Sequence, residues 1–119
     1  MLAQKYRFHG YGALKYVYRN GQSVRQQYFT LKYIANKRRK NSRFAVVVSK
    51  KVHKGAVGRN RIRRRMYEIL RQESSKLDAS YDIACIVFSS EVREAPYETL
   101  TQSIRDAFTS AGLYSIDEK

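Results

Sequence analysis

The sequence predicts an α+β fold, a single-domain α-β sandwich with helices packed on a sheet in the order α-β-β-β-α-β-α. Three observations predict it. Apolar residues recur at helical spacing in three separate stretches. Runs of strand length, rich in β-branched and aromatic residues, lie between them. No repeat, low-complexity tract or internal linker interrupts the 119 residues, and 43% of them are apolar, enough for one core.

Taken in order, Gly10-Tyr11-Gly12 opens a segment in which Tyr11, Leu14, Val17 and Tyr18 share a helical face. Gly21 follows Asn20 as a stop, read as a residue that tolerates positive φ. A very short strand is expected around Gln22–Val24. Tyr28 to Ala35 reads as the next, with Phe29, Leu31 and Tyr33 on one face and Tyr28, Thr30, Lys32 and Ile34 on the other. Asn36 to Ser42 is a basic hairpin connection, and Arg43 to Ser49 a more buried strand. Lys50 to Gly58 is a basic loop. From about Arg59 the period turns helical, with Ile62, Met66, Ile69 and Leu70 as the apolar stripe. Gln72 to Ser80 is polar and ends that helix. Tyr81 to Phe88 is almost continuously apolar, as in a strand covered on both faces. Pro96 suits a first helical turn, and Leu100, Ile104, Ala107, Phe108 and Ala111 mark the buried face of a last helix stopping near Gly112.

Charge is partitioned along this chain. Residues 37–71 hold fourteen of the 24 basic residues and one acid, Glu68, and so +13 of the net +14. Residues 1–36 carry six basic residues and no acid, whereas 72–119 carry four basic and nine acidic residues. A polyanion would meet the first two thirds and be repelled by the last. At about 100° per residue, the Ile62/Met66/Ile69 stripe faces the sheet. Asn60, Arg64, Tyr67 and Arg71 then line one flank, Arg61 and Arg65 the other, and Arg59 and Arg63 border the first. Guanidinium pointing in two directions suits a rod between two nucleic-acid surfaces. The helix N-terminus favours phosphate, and Gly55 and Gly58 are read as letting backbone approach it. A merely solvated charged helix would mix signs; like charges at this spacing cost roughly a few tenths of a kcal/mol per pair.

The ten tyrosines and five phenylalanines include Tyr18, Tyr28, Phe29 and Tyr33, which fall among Arg19, Arg25 and Lys32. That mixture suits stacking on unpaired bases, the alternative being core packing. His9 and His53 have no cysteine or second histidine at ligand spacing, so no protein metal site is expected. His53, between Lys51 and Lys54, reads as a solvated loop residue. Asp78, Asp82, Glu91, Glu94 and Glu98 form no close pair with a base or nucleophile, and no catalytic residue is assigned. Lone Cys85 reads as a small buried hydrophobe, which fits a reducing cytoplasm. With no apolar run of eighteen residues and no signal-peptide pattern, a soluble, cytoplasmic protein is expected.

The stretch Val48-Ser49-Lys50-Lys51-Val52-His53-Lys54-Gly55-Ala56-Val57-Gly58-Arg59-Asn60-Arg61-Ile62-Arg63-Arg64 resembles the signature of the bacterial ribonuclease P protein subunit. That family joins a Ser-Lys-Lys strand exit to an Arg-Asn-Arg helix start. Leu14, Val17, Tyr18 and Gly21 resemble its preceding helix, and the likeness extends over about residues 7–113, the expected ordered core. Four positions differ from the family pattern: Leu14 stands where Phe is common, Tyr67 where Arg is, Phe88-Ser89-Ser90 lacks a basic residue, and the loop before Arg59 is one residue longer.

The resemblance implies a four-stranded sheet with a left-handed crossover through the basic helix, where general rules favour the right-handed one. It implies two RNA partners, the catalytic RNA subunit and precursor tRNA, with hydrolysis by the RNA and Mg2+ held mainly by that RNA. No membrane or protein partner is implied. Carried over, Arg59, Asn60, Arg61, Arg63 and Arg64, with Lys50, Lys51 and Lys54, would bind RNA. Leu14, Tyr18, Lys32 and Ser49 would bind the 5′ leader of the substrate. The rival readings are a structural RNA-binding protein of ribosomal type and a DNA-binding regulator with the Arg-rich helix in a major groove. A protein-only nuclease would have to cleave without RNA.

Overall fold

In the computed structural model, which describes residues 11–38 and 41–114, the chain runs α1 (Tyr11–Asn20), β1 (Gln22–Arg25), β2 (Phe29–Ala35), β3 (Arg43–Val48), α2 (Ala56–Glu73), β4 (Tyr81–Val87) and α3 (Tyr97–Ala111). His9, Gly10, Arg39 and Lys40, all read above, lie outside the described residues. Element order agrees with the sequence reading. Two 3₁₀ turns, Ser74–Lys76 and Ser90–Arg93, were not anticipated. Helix α2 begins three residues before Arg59, because Ala56 and Val57 continue its turn ahead of the basic run.

The strands lie in the order β1-β2-β4-β3, with β1-β2 and β2-β4 antiparallel and β4-β3 parallel. Helix α2 is therefore the crossover between adjacent parallel strands, and β3 is a sheet edge. Strand alternation divides the molecule into two layers. Phe29, Leu31, Phe44, Val46, Val48, Ile83, Cys85 and Val87 point to one side. There they form a core with Ile62, Met66, Ile69 and Leu70 of α2 and Leu100, Ile104, Ala107 and Phe108 of α3. Each large aliphatic side chain fully buried here contributes about 1.5–3 kcal/mol. Cys85 is fully buried, and burial pushes its thiol up to about 12.

On the opposite side α1 sets Val17 onto Ala45 and Ala84, with Leu14 and Ile34 packed around them. Ala84 on the central strand β4 and Ala45 beside it on β3 let this helix settle close. Gly21 serves the same approach: a Cβ there would stand 2.6 Å from the Val17 carbonyl oxygen and 2.8 Å from that of Tyr33. Close contact requires this glycine, since Gly112, at φ 72°, is the described residue with positive φ.

The aromatic reading needs correction. Tyr28 and Phe29 belong to the core on the α2/α3 side, where neither can stack on a base. Tyr33 packs against the same core and its hydroxyl donates to Gln22 Oε1 at 3.0 Å. Tyr67 is also buried, although the helical wheel puts it on the exposed flank. Its hydroxyl accepts the Val46 N–H at 3.1 Å, which satisfies an outward donor of the edge strand β3.

Candidate nucleic-acid interface

Register places Ser23, Lys32, Ala84 and Ala45 in one row across the α1 side of the sheet, and Arg25, Thr30, Ile86 and Val47 in the next. The first row supports α1. Thr30, Ile86 and Val47 of the second stay half-buried beyond that helix's cluster. Cation and aromatic groups frame this open part. Lys32 Nζ lies 5.9 Å from the ring centroid of Tyr18, and the Arg25 guanidinium 4.4 Å from that of Phe88. Both rings reach the surface, at 37% and 39% exposure. Partial burial raises the Tyr18 phenol above its ordinary range. The shallow face thus offers bases a stacking surface and phosphates two cations. Leu14 is half-buried against the Val17 cluster, so it supports this face more than it lines it.

Beyond β3 the chain turns because the Ser49 carbonyl accepts the N–H groups of Val52 and His53, at 3.1 and 3.3 Å. Ser49, Lys50, Lys51 and Lys54 are exposed, and the three lysines have no ion-pair partner among the described residues. His53 is half-buried here, contrary to its reading as a solvated loop residue. Its ring lies directly on the first turn of α2, where a Cβ on Gly58 would stand 2.1 Å from Cε1. Gly58 therefore makes room for an imidazole, and the expected phosphate approach at that glycine is corrected. Arg59 ties the loop to the helix: its Nη1 donates to the carbonyls of His53 and Lys54, at 3.0 and 2.7 Å.

The two flanks of α2 differ in kind. Arg65 donates to the carbonyls of Val92, Arg93 and Ala95, at 2.6, 3.0 and 2.5 Å, and Arg61 Nε to that of Arg93 at 3.2 Å. This flank fixes the segment after β4. Arg63 donates to Asn60 Oδ1 at 2.5 Å, and Arg64 is exposed with no hydrogen bond or ion pair to the described residues. Farther along, Arg71 pairs with Glu68. Arg43 is also spoken for, since it grips buried Asp82 through Nε and Nη2, at 2.9 and 2.8 Å. The loop lysines, Asn60, Arg63 and Arg64 thus form one available basic surface, next to the aromatic face. The sequence reading missed the Arg25–Phe88 pair, which emerges only from the sheet register. The Arg65 anchor left no sequence signal.

No helix among the described residues is long and apolar enough to cross a membrane, and none of their His, Cys, Asp and Glu side chains group in threes that could hold a metal. The fold and surface define a small basic α+β protein of the nucleic-acid-binding class. Residues 2–112 match the family model for ribonuclease P. Over 105 residues the chain is 36% identical to the ribonuclease P protein component of Thermoanaerobacter sp. (strain X514), covering 88% of each. The Staphylococcus aureus RNase P protein, solved at 2.0 Å, superposes with a TM-score of 0.80 at 24% identity, over 92% of this chain and 98% of that one. The Thermotoga maritima RNase P protein gives 0.74 at 23% identity, over 84% and 92%. This chain belongs to the ribonuclease P protein component family, part of the endoribonuclease that matures tRNA 5′ ends. The rival classes are not favoured, and the tied Arg61/Arg65 flank argues separately against a helix free to enter a major groove.

Proposed function

We propose that the chain binds the catalytic RNA of ribonuclease P through Lys50, Lys51, Lys54, Asn60, Arg63 and Arg64, with Arg59 and Arg61 bordering that surface. The 5′ leader of precursor tRNA lies along the α1 side of the sheet, past Tyr18, Lys32 and Ser49 over the Leu14-supported helix. The RNA cuts the phosphodiester with magnesium. The described part of this chain brings no cluster of ligands for that ion, and its own residues act by holding polyphosphate.

The observation that carries this reading is the continuity of two surfaces. A shallow face framed by Tyr18/Lys32 and Arg25/Phe88 suits an unpaired strand, because every base has a π-face and stacking is indifferent to sequence. The adjoining loop and helix offer point charges to a folded backbone, which position without specifying sequence. Such a protein steadies leader and RNA together and lowers the magnesium needed for cleavage.

Reconstitution tests it. A bacterial ribonuclease P RNA is mixed with precursor tRNA at low magnesium, with and without the purified chain. Faster cleavage with protein is expected, and no cleavage by protein alone. Tyr18→Ala is expected to weaken precursor binding severalfold while leaving mature tRNA unaffected. Equal rates with and without the chain, or cleavage without RNA, overturn the proposal.

A further inference from the structure

The imidazole of His53 stands between two donors. The Gly55 N–H points at Nδ1 at 3.2 Å, and Arg93 Nη1 lies 3.1 Å from Nε2. A guanidinium has no lone pair to offer, and a neutral imidazole has one bare nitrogen. Both neighbours can only donate, so one of the two contacts is a hydrogen bond and the other a donor-to-donor contact; with Nδ1 accepting the Gly55 N–H, Nε2 carries the hydrogen. Nε2–H and Nη1–H then lie side by side, with no acceptor between them. Arg93 Nε is buried without a hydrogen-bond partner as well. Its nearest carboxylate, Glu94 Oε1, is 3.7 Å away on a side chain 77% exposed, too far for a hydrogen bond and screened by water.

The ring is held firmly, and the Arg93 backbone is anchored beside it. The ring is seated on Gly58, where a Cβ would meet all three atoms of the Nδ1–Cε1–Nε2 edge within 2.5 Å. The backbone of Arg93 is fixed through its carbonyl by Arg61 and Arg65. Packing and hydrogen bonds thus keep two donors together that repel each other in the free protein.

We propose that His53 Nε2–H and the Arg93 guanidinium form an anion subsite for one non-bridging phosphate oxygen of the RNA subunit. The oxygen accepts from both groups, and its charge relieves the donor-to-donor contact. The subsite joins the basic loop to the segment after β4, adding a phosphate contact on the side of α2 where Arg61 and Arg65 are occupied internally. It rests on the reading that RNA is the partner.

The test uses the full chain with His9→Gln, labelled with nitrogen-15 on its one remaining imidazole. The spectrum is expected to show the Nε2–H tautomer. Inorganic phosphate is expected to shift Nε2 and Arg93 Nε–H in a saturating manner, where chloride at equal ionic strength does not. Arg93→Gln, which keeps the carbonyl that Arg61 and Arg65 hold, is expected to weaken RNA-subunit binding about tenfold. It should also reduce the slope of log affinity against log salt by about 0.7–0.9. His53→Gln added to Arg93→Gln should cost little more, because the two groups share one oxygen. An Nδ1–H tautomer, no response to phosphate, or wild-type RNA affinity in Arg93→Gln overturns the subsite. A phosphate response with unchanged RNA affinity assigns the pair to free phosphate and overturns the RNA contact. If the unsubstituted protein binds no RNA subunit, the proposed function itself fails.

Discussion

Helix α2 carries arginine on two flanks that do different work. On one, Arg61 and Arg65 spend their donors on carbonyls of residues 92, 93 and 95. On the other, Arg64 reaches solvent with no partner among the described residues, and Arg63 donates to Asn60. The same residue type thus serves as an internal brace on one flank and stands open to solvent on the other, a few residues apart. Positive charge in a sequence counts cations, whereas folding decides which of them keep their donors free to be placed on a phosphate. Arg43, Arg59 and Arg71 also hold internal partners, so the surface open to RNA is narrower than the charge run implies.

The most direct way to break this contrast is Arg65→Ala. It leaves three carbonyls without their charged donor, at an expected loss of about 3 kcal/mol. Urea denaturation measures it, and Arg65→Lys should recover little, because an ammonium cannot span the three oxygens. Next comes Gly58→Ala, whose added methyl collides with the His53 ring; overpacking of this kind costs about 2 kcal/mol. Adding His53→Gly to that variant should return most of the stability. Failure to do so would mean that the ring is not the obstacle. Arg63→Ala combined with Arg64→Ala should do the reverse of Arg65→Ala. Stability should change by less than about 0.5 kcal/mol, while RNA-subunit affinity falls about tenfold and the salt slope drops by about 1.4–1.8. A lowered melting temperature in that pair, or unchanged stability in Arg65→Ala, would erase the distinction between the flanks.

What could be read from the chain follows from range. The stripe of Ile62, Met66, Ile69 and Leu70 and the alternation in β2 are local periodicities, and both describe the core correctly. The brace could not be read, because Arg65 finds its carbonyls 27 to 30 residues later, in and just after a 3₁₀ turn that has no periodicity. Tyr67 was misplaced for a related reason. Its partner is an outward N–H of β3, and β3 is an edge only because β4 inserts beside β2. His53 and Gly58 were read singly, as a solvated side chain and a flexible backbone, when each is explained by the volume of the other. Tyr18 and Lys32 were named together through the family resemblance, and the fold brings them within 5.9 Å of each other. The Arg25–Phe88 pair required the sheet register.

The C-terminal end of α2 inverts the arrangement at its flanks, because there cations gather around one acid. Glu73 is almost fully buried, and its carboxylate accepts from Tyr114 Oη at 2.7 Å and Arg105 Nε at 3.2 Å, with Lys76 Nζ at 3.5 Å. Burial alone would raise this carboxyl. The hydrogen bonds from Tyr114 and Arg105 and the charges of Arg105 and Lys76 outweigh it and hold the group below its ordinary value. A carboxyl depressed by folding stabilises the protein above its unfolded value, about 4.3, and that contribution is lost as pH falls through the lower folded value. Because Arg105 and Lys76 are 47% and 40% exposed, solvent screens them and keeps the contribution modest. Glu73→Gln should therefore flatten the fall in stability below about pH 4.3, measured by urea midpoints across that range. RNA affinity at neutral pH should stay unchanged, since this acid turns toward α3 and Tyr114 and away from the loop lysines and Arg64. A loss of RNA binding in that variant would mean that the acid end of α2 also sets the geometry of its basic end, and that brace and ligand are not separable.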